Sequence, residues 1–334
     1  MKILLYHFGY RGDIMVVGQN FTRELRLRYP EATIDLMLRP RMRDVQDFME
    51  PLSLYGQFLY GEKKDYHLLK DSYDLSYMID ERIYPEGQLR TVFTRAGFPF
   101  RQHKLTLASK PEDDAVAAGI VAHLPRPIIA TQDDLTRKWP QAKVEELCRK
   151  LEGLGTLLVL GPNRVLPGFD RLLSFSESAE LLRRENGGTG RRTLLASVGE
   201  SAALLRQVDL FVGVDSGIAH AAALVGTQTV LMQMIFPEGW IAPTEYANPF
   251  IEEEHARHRS VYPAPDDFCG HYFCLRPTRG GAIKRPSGNP LLVKCVWKKR
   301  MGLLKGPSCF SKISVESFYN MVLETLRKRQ LMEP

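Results

Sequence analysis

Apolar positions recur along this chain in two rhythms, and their alternation predicts the architecture. Short, nearly unbroken apolar runs fall at residues 2–8 (KILLYHF), 33–40 (TIDLMLRP), 74–80 (DLSYMID), 126–131 (RPIIAT), 156–161 (TLLVLG), 209–215 (DLFVGVD) and 227–232 (TQTVLM). Runs of this length, apolar on both faces, suit strands of a parallel sheet covered by helices on each side. Between them lie stretches with helical spacing: 20–28, 139–155 (WPQAKVEELCRKLEGLG, with a glycine stop), 200–208 and 219–226. A short helix is also expected within 174–185 (SFSESAELLRRE), and an amphipathic helix at 314–330 ends the pattern with basic residues in its last turn, where they favour the dipole. A closing helix of this kind can cross back onto the first half of a two-lobed protein. Strand–helix–strand order with short connections is the signature of doubly wound α/β architecture.

Two prolines at 122–129 (AHLPRPII) interrupt the order, which then begins again. Two Rossmann-like lobes are therefore expected, an N-terminal one over 1–124 and a C-terminal one over 125–334. The 334 residues are too many for one ordinary domain and comfortable for two. With 44% hydrophobic and 25% charged residues the composition is that of a globular protein, and no apolar run approaches the ~18 residues of a membrane span. The opening MKILLYHFGYRGD reads as a strand and not as a signal peptide, so a cytoplasmic protein is expected. The net charge of +6 is uneven: residues 268–315 carry ten Lys or Arg and no Asp or Glu. Such a segment is either a solvated surface or a face for a phosphate-bearing or acidic partner.

Three polar features interrupt the apolar runs. Asp215-Ser216-Gly217 sits where a strand gives way to a helix, with His220 one turn on. That is the edge at which open parallel sheets bind ligands, and free N–H groups at a helix start favour a phosphate. Gly217 would let an anion approach the backbone, Ser216 would add a hydroxyl and His220 a donor; the competing reading is an Asp-Ser helix cap. Gly12-Asp13 follows the first strand, so Asp13 could face a ligand across the cleft and take a proton from a hydroxyl, although such turns are often only caps. Arg137 and Lys138, before Trp139-Pro140, follow a strand of the second half and could clamp a diphosphate.

Together GYRGDIM with RYPEATIDLM, RKWP, and VGVDSGIAHAAALVGTQTVLM resemble glycosyltransferase family 9, the ADP-heptose:lipopolysaccharide heptosyltransferases, over about residues 1 to 235. The resemblance implies a GT-B fold and an inverting transfer with no metal ion at the reaction centre. It implies Asp13 as general base and Asp215, Ser216, Gly217 and His220 as holders of the donor diphosphate. Arg137 stands where many relatives have lysine and, with Lys138, would neutralise the leaving nucleoside diphosphate. An ADP-heptose-type donor follows, with a lipopolysaccharide core or a protein as acceptor and peripheral association with the inner face of a membrane. After Met232 the chain departs from the family's usual FGxTxP loop, reading QMIFPEGWIAPTE, so no role passes to Pro237, Glu238 or Trp240.

Four of the five cysteines, Cys269, Cys274, Cys295 and Cys309, fall inside the basic stretch within 266–311. Four thiolates suit tetrahedral zinc or iron, and an irregular segment without its own core would gain most from such a staple. His271 is a competing ligand, and four unrelated thiols are the bland alternative. The autotransporter heptosyltransferases, similar in plan, carry a cysteine-bound iron. Cys148 lies on the apolar side of its helix pattern and reads as core, and HARHR at 255–259 reads as a solvated face. A second function class, a non-catalytic binder of nucleic acid or an acidic partner through the Cys-rich module, finds little support. The basic run has no base-reading motif and few aromatics, so no stable nucleic-acid partner is expected. A dehydrogenase is excluded because no G-x-G-x-x-G follows a strand.

Overall fold

A computed structural model describes residues 1–8, 11–79, 88–101, 103, 105–132, 135, 139–160, 172–174, 192–214, 216–232, 258–261 and 312–328. Its strands form two fully parallel sheets. The first holds β1 (Lys2–His7), β2 (Thr33–Leu38), β3 (Phe58–Tyr60) and β4 (Leu75–Ile79) in the order β3-β2-β1-β4. The second holds β5 (Ile128–Gln132), β6 (Thr156–Leu160), β7 (Leu172–Ser174), β8 (Arg192–Leu195), β9 (Leu210–Val214), β10 (Thr229–Met232) and β11 (His258–Val261), ordered β11-β10-β9-β5-β6-β8-β7. The two-sheet α/β architecture expected from the apolar runs is therefore the one observed. In the second sheet the chain leaves β5 for β6 on one side and later returns to β9 on the other. The crevice between the carboxyl ends of β5 and β9 is thus a topological switch point, the usual ligand site of such sheets.

The first helix begins earlier than its amphipathic pattern indicates. A turn, α1 (Arg11–Asp13), runs through a π-helical segment (Ile14–Gly18) into α2 (Gln19–Arg28). All five residues of the π segment are buried, so the run IMVVG shows no amphipathic period to read. Gly18 fits because the ring of His7 fills the space a side chain would need, a Cβ there falling 2.9 Å from its Cδ2. π segments of this kind are frequent at functional sites.

Later come α3 (Val45–Met49), α4 (Lys63–Leu69), α5 (Gln88–Arg95) and α6 (Pro111–Val121), then α7 (Gln141–Glu152), α8 (Val198–Gln207), α9 (Gly217–Leu224) and α10 (Val315–Lys328). α6 precedes β5 but packs against α8. Arg206 of α8 donates to the Leu107 carbonyl and the Ser109 hydroxyl and pairs with Asp114. The residues before α6 are in turn pinned to α2. Gln19 exchanges two hydrogen bonds with Thr106, Asn20 Oδ1 accepts from His103 N at 2.9 Å, and buried Glu24 lies 3.0 Å from His103 Nε2. His103, Thr106 and Leu107 are thus tied to helices of both sheets.

Burial, opposed by Glu24 and aided by Arg101 and Arg23, holds the His103 pKa below its ordinary value. A depressed histidine stays neutral in the fold while the unfolded chain takes up its proton first. Stability is therefore lost as pH falls below about 6.5. His103→Gln should make urea stability fall less steeply between pH 7.5 and 5.5 than in the wild type; an unchanged slope would remove His103 as a contributor.

Over its described residues the closing helix packs on the second lobe. α10 packs on α7, β10 and β11, burying Val315, Phe318, Val322 and Leu326 in one cluster with Leu147, Cys148 and Leu151 of α7. Cys148 is core, as its helix pattern indicates. The solvated reading of 255–259 is corrected at its end. His258 and Arg259 open the edge strand β11, whose short polar sequence resembles a loop, and Arg259 pairs with Glu324 of α10 at 2.8 Å. β3 was likewise hidden by its three-residue length. Most of the 174–185 helix and all of the Cys-rich segment lie outside the described residues.

Candidate functional site

The candidate site is built from the carboxyl edges of both sheets. α9 starts at Gly217, directly after β9, with Ser216 as its N-cap in extended conformation. Ser216 Oγ accepts from Ala219 N at 3.2 Å, and His220 N bonds the Ser216 carbonyl at 3.0 Å. Gly217 and Ile218 occupy the first two helical positions, whose N–H groups have no acceptor within a helix. They and the positive end of the dipole make this helix start suited to an anion. Alanines 219, 221, 222 and 223 bury the body of α9 against neighbouring elements, which explains the alanine-rich run after the polar motif.

The two predicted loops meet here. A Cβ built on Gly12 would stand 2.7 Å from His220 Cδ2 and 3.4 Å from Gly217 Cα, so only glycine permits this approach. From the other side, a Cβ on Gly217 would lie 3.7 Å from Gly12 N and 4.0 Å from the Met15 methyl. The loop bearing Asp13 is therefore seated on the first turn of α9, and Asp13 closes the short α1 turn that makes the contact. A modest version of this contact can be tested directly. Gly12→Ala should lower turnover about tenfold by displacing the His220 ring, a shift of a few tenths of an ångström to one ångström being costly in a reaction geometry. Unaltered kinetics would show that the His220 ring yields freely.

Of the other expected site residues, Arg137, Lys138 and Asp215 lie outside the described residues, as do Cys269, Cys274, Cys295 and Cys309. No group of three metal-ligating side chains occurs among the described residues. Trp139 is described and shows how the RKWP element is anchored. Its indole is buried, stacks edge-on against Phe318 at 6.0 Å and donates Nε1–H to the Ile313 carbonyl at 3.2 Å. Trp139 is thus tethered to the element that carries α10.

Sequence reasoning missed Gln132, the last residue of β5. It is fully buried at the switch point; its Nε2 donates to the Val214 carbonyl at 3.0 Å and its Oε1 accepts the Ser216 hydroxyl proton. A polar residue ending an otherwise apolar strand was the available signal, obscured because the run ATQDD reads as a loop start.

Residues 93–232 match the sequence model of glycosyltransferase family 9 (heptosyltransferase). Over that stretch the chain is similar to the family's sequence model. It also shares its fold with solved structures at low identity. A family 9 glycosyltransferase from Veillonella parvula matches with a TM-score of 0.59 and 13% identity, covering 98% of this chain and 97% of its own. The E. coli ADP-heptose lipopolysaccharide heptosyltransferase II gives 0.57 and 14%, covering 99% and 100%. The iron-containing dodecameric glycosyltransferase TibC of enterotoxigenic E. coli gives 0.57 and 14%, covering 100% and 80%. No curated protein matches the chain. The family match spans Gln132, Arg137, Lys138, Asp215, Ser216, Gly217 and His220 and begins after Gly12 and Asp13; Gly12 lies against α9. Among the described residues, no helix is long and apolar enough to cross a membrane.

Proposed function

We propose that this transferase moves a heptose, with inversion, from an ADP-heptose-type donor to a hydroxyl. The observation that carries the reading is the seating of the Gly12-Asp13 loop on the anion-suited start of α9. A base and a diphosphate cradle in contact across two sheets are what a direct displacement needs. Asp13 takes the proton of the acceptor hydroxyl as its oxygen attacks the anomeric carbon. The bond to the donor's diphosphate breaks, and the released charge is met by the N–H groups of Gly217 and Ile218, by His220, and by the cations of Arg137 and Lys138. Asp215 and Ser216 belong with them to the donor-binding set. The lobes divide near 124–125, the first receiving the acceptor and the second the donor.

The acceptor is a lipopolysaccharide core sugar or a protein hydroxyl, and the basic stretch of 268–315 suits a phosphorylated glycolipid at the inner face of a membrane. Cys269, Cys274, Cys295 and Cys309 would hold a structural zinc or iron remote from the reaction, by the chemistry of four thiolates alone.

Ligand stabilisation tests the donor side. ADP at about 100 times its dissociation constant should add about 2.7 kcal/mol of stability, and His220→Ala should reduce it. A screen of donor hydrolysis across nucleotide sugars then identifies the sugar. Stabilisation by oligonucleotide and not by any nucleoside diphosphate would replace this reading with that of a nucleic-acid binder.

A further inference from the structure

Gln132 is a fully buried polar side chain at the switch point, and its two partners flank a single residue. Its amide nitrogen donates to the carbonyl of Val214 at 3.0 Å, and its amide oxygen accepts the hydroxyl proton of Ser216. Between those two partners lies Asp215. The polarity of the network is fixed at every step: a carbonyl can only accept, so Nε2 faces Val214 and Oε1 must face Ser216. Ser216 Oγ, having given its only proton to Gln132, can offer Ala219 N only a lone pair, and that is the bond observed. A Cβ on Gly213 would stand 2.9 Å from the Phe211 ring and 3.4 Å from Gln132 Cδ, so glycine at 213 answers to Phe211 while the amide lies at ordinary contact distance.

We infer that Gln132 is a positioning residue of the donor site: a buried amide clamp, supplied by β5, that joins the end of β9 at Val214 to the Ser216 cap of α9 so that the Gly217 and Ile218 N–H groups face an anion. The inference rests on the proposed nucleotide-sugar reading of that cradle. It reassigns the Ser216 hydroxyl, whose proton serves the clamp, so the anion is met by backbone N–H groups and not by that side chain. An amide is suited to the task because it joins a carbonyl to a hydroxyl without bringing charge beneath a diphosphate.

Two variants test it by ADP titration calorimetry on the full chain. Gln132→Met keeps the reach and volume but can neither donate to Val214 nor accept from Ser216. ADP binding should weaken about tenfold, the effect of losing a buried hydrogen-bonded partner. Gln132→Glu keeps the acceptor, loses the donor and adds a negative charge. Relative to wild type at the same pH, its ADP affinity should be about tenfold or more weaker at pH 8 and recover towards parity at pH 5.5. Burial beside a backbone carbonyl raises a carboxyl's pKa, so on acidification the introduced group becomes protonated and regains a donor for Val214, a rescue that space filling alone would not give. Gln132→Met binding ADP within twofold of wild type, or a Gln132→Glu deficit equal at both pH values, would overturn the clamp. Wild-type protein that fails to bind ADP would overturn the cradle reading together with it.

Discussion

Asp13→Asn should lower sugar transfer about 10²- to 10⁴-fold while leaving ADP binding unchanged. The split follows from where the residue sits. Asp13 ends the α1 turn, one position from Gly12, and Gly12 lies against His220 and Gly217 at the start of α9. Asparagine has nearly the same size and keeps the short turn, but it cannot take up the acceptor's proton. The diphosphate partners on the second sheet are untouched, so the donor should bind as before. Single-turnover transfer and ADP calorimetry on the same preparation separate the two quantities. An Asp13→Asn enzyme of near wild-type rate would remove Asp13 from the chemistry; one that loses ADP binding as well would make it part of the donor site.

Trp139→Ala should cost about 3–5 kcal/mol of stability, measured by urea unfolding. The indole is one of the largest fully enclosed side chains and its edge-on partner Phe318 is equally buried, so truncation leaves a cavity against α10. Trp139→Phe separates packing from hydrogen bonding. It keeps most of the ring but loses the indole donor to Ile313, whose carbonyl retains Lys143 Nζ at 2.8 Å, so the cost should fall to about 1 kcal/mol. Equal losses for the two variants would mean that the hydrogen bond, and not the ring, fastens α10.

The strands were the most legible part of the chain, because a strand buried on both faces leaves a continuous apolar run and the structure buries every residue of β5, β6, β9 and β10. The π segment was not legible. With Ile14 to Gly18 buried all round, no polar stripe marks its turn, and the helix could be read only from Asn20 onward. β3 and β11 were lost for the opposite reason, being too short or too polar to show alternation. At the site, Ser216, Gly217 and His220 stood out because polar residues between apolar runs need an explanation. Gln132 did not, since its partners are a backbone carbonyl and a hydroxyl more than eighty positions away. Long-range pairing of that sort has no spacing signature. The meeting of Gly12 with α9 was expected only as two loops facing a common cleft; that it is a direct contact depends on a missing side chain, which a sequence shows only as one glycine among 26.

That contact also limits how the protein can be recombined. A chimaera joining this first lobe to the second lobe of another transferase inherits an unprotected seam wherever the incoming helix places bulk opposite Gly12. Exchange of donor specificity by lobe swapping should therefore succeed only when the first turn of the incoming helix and the Gly12 loop are transplanted as a matched pair.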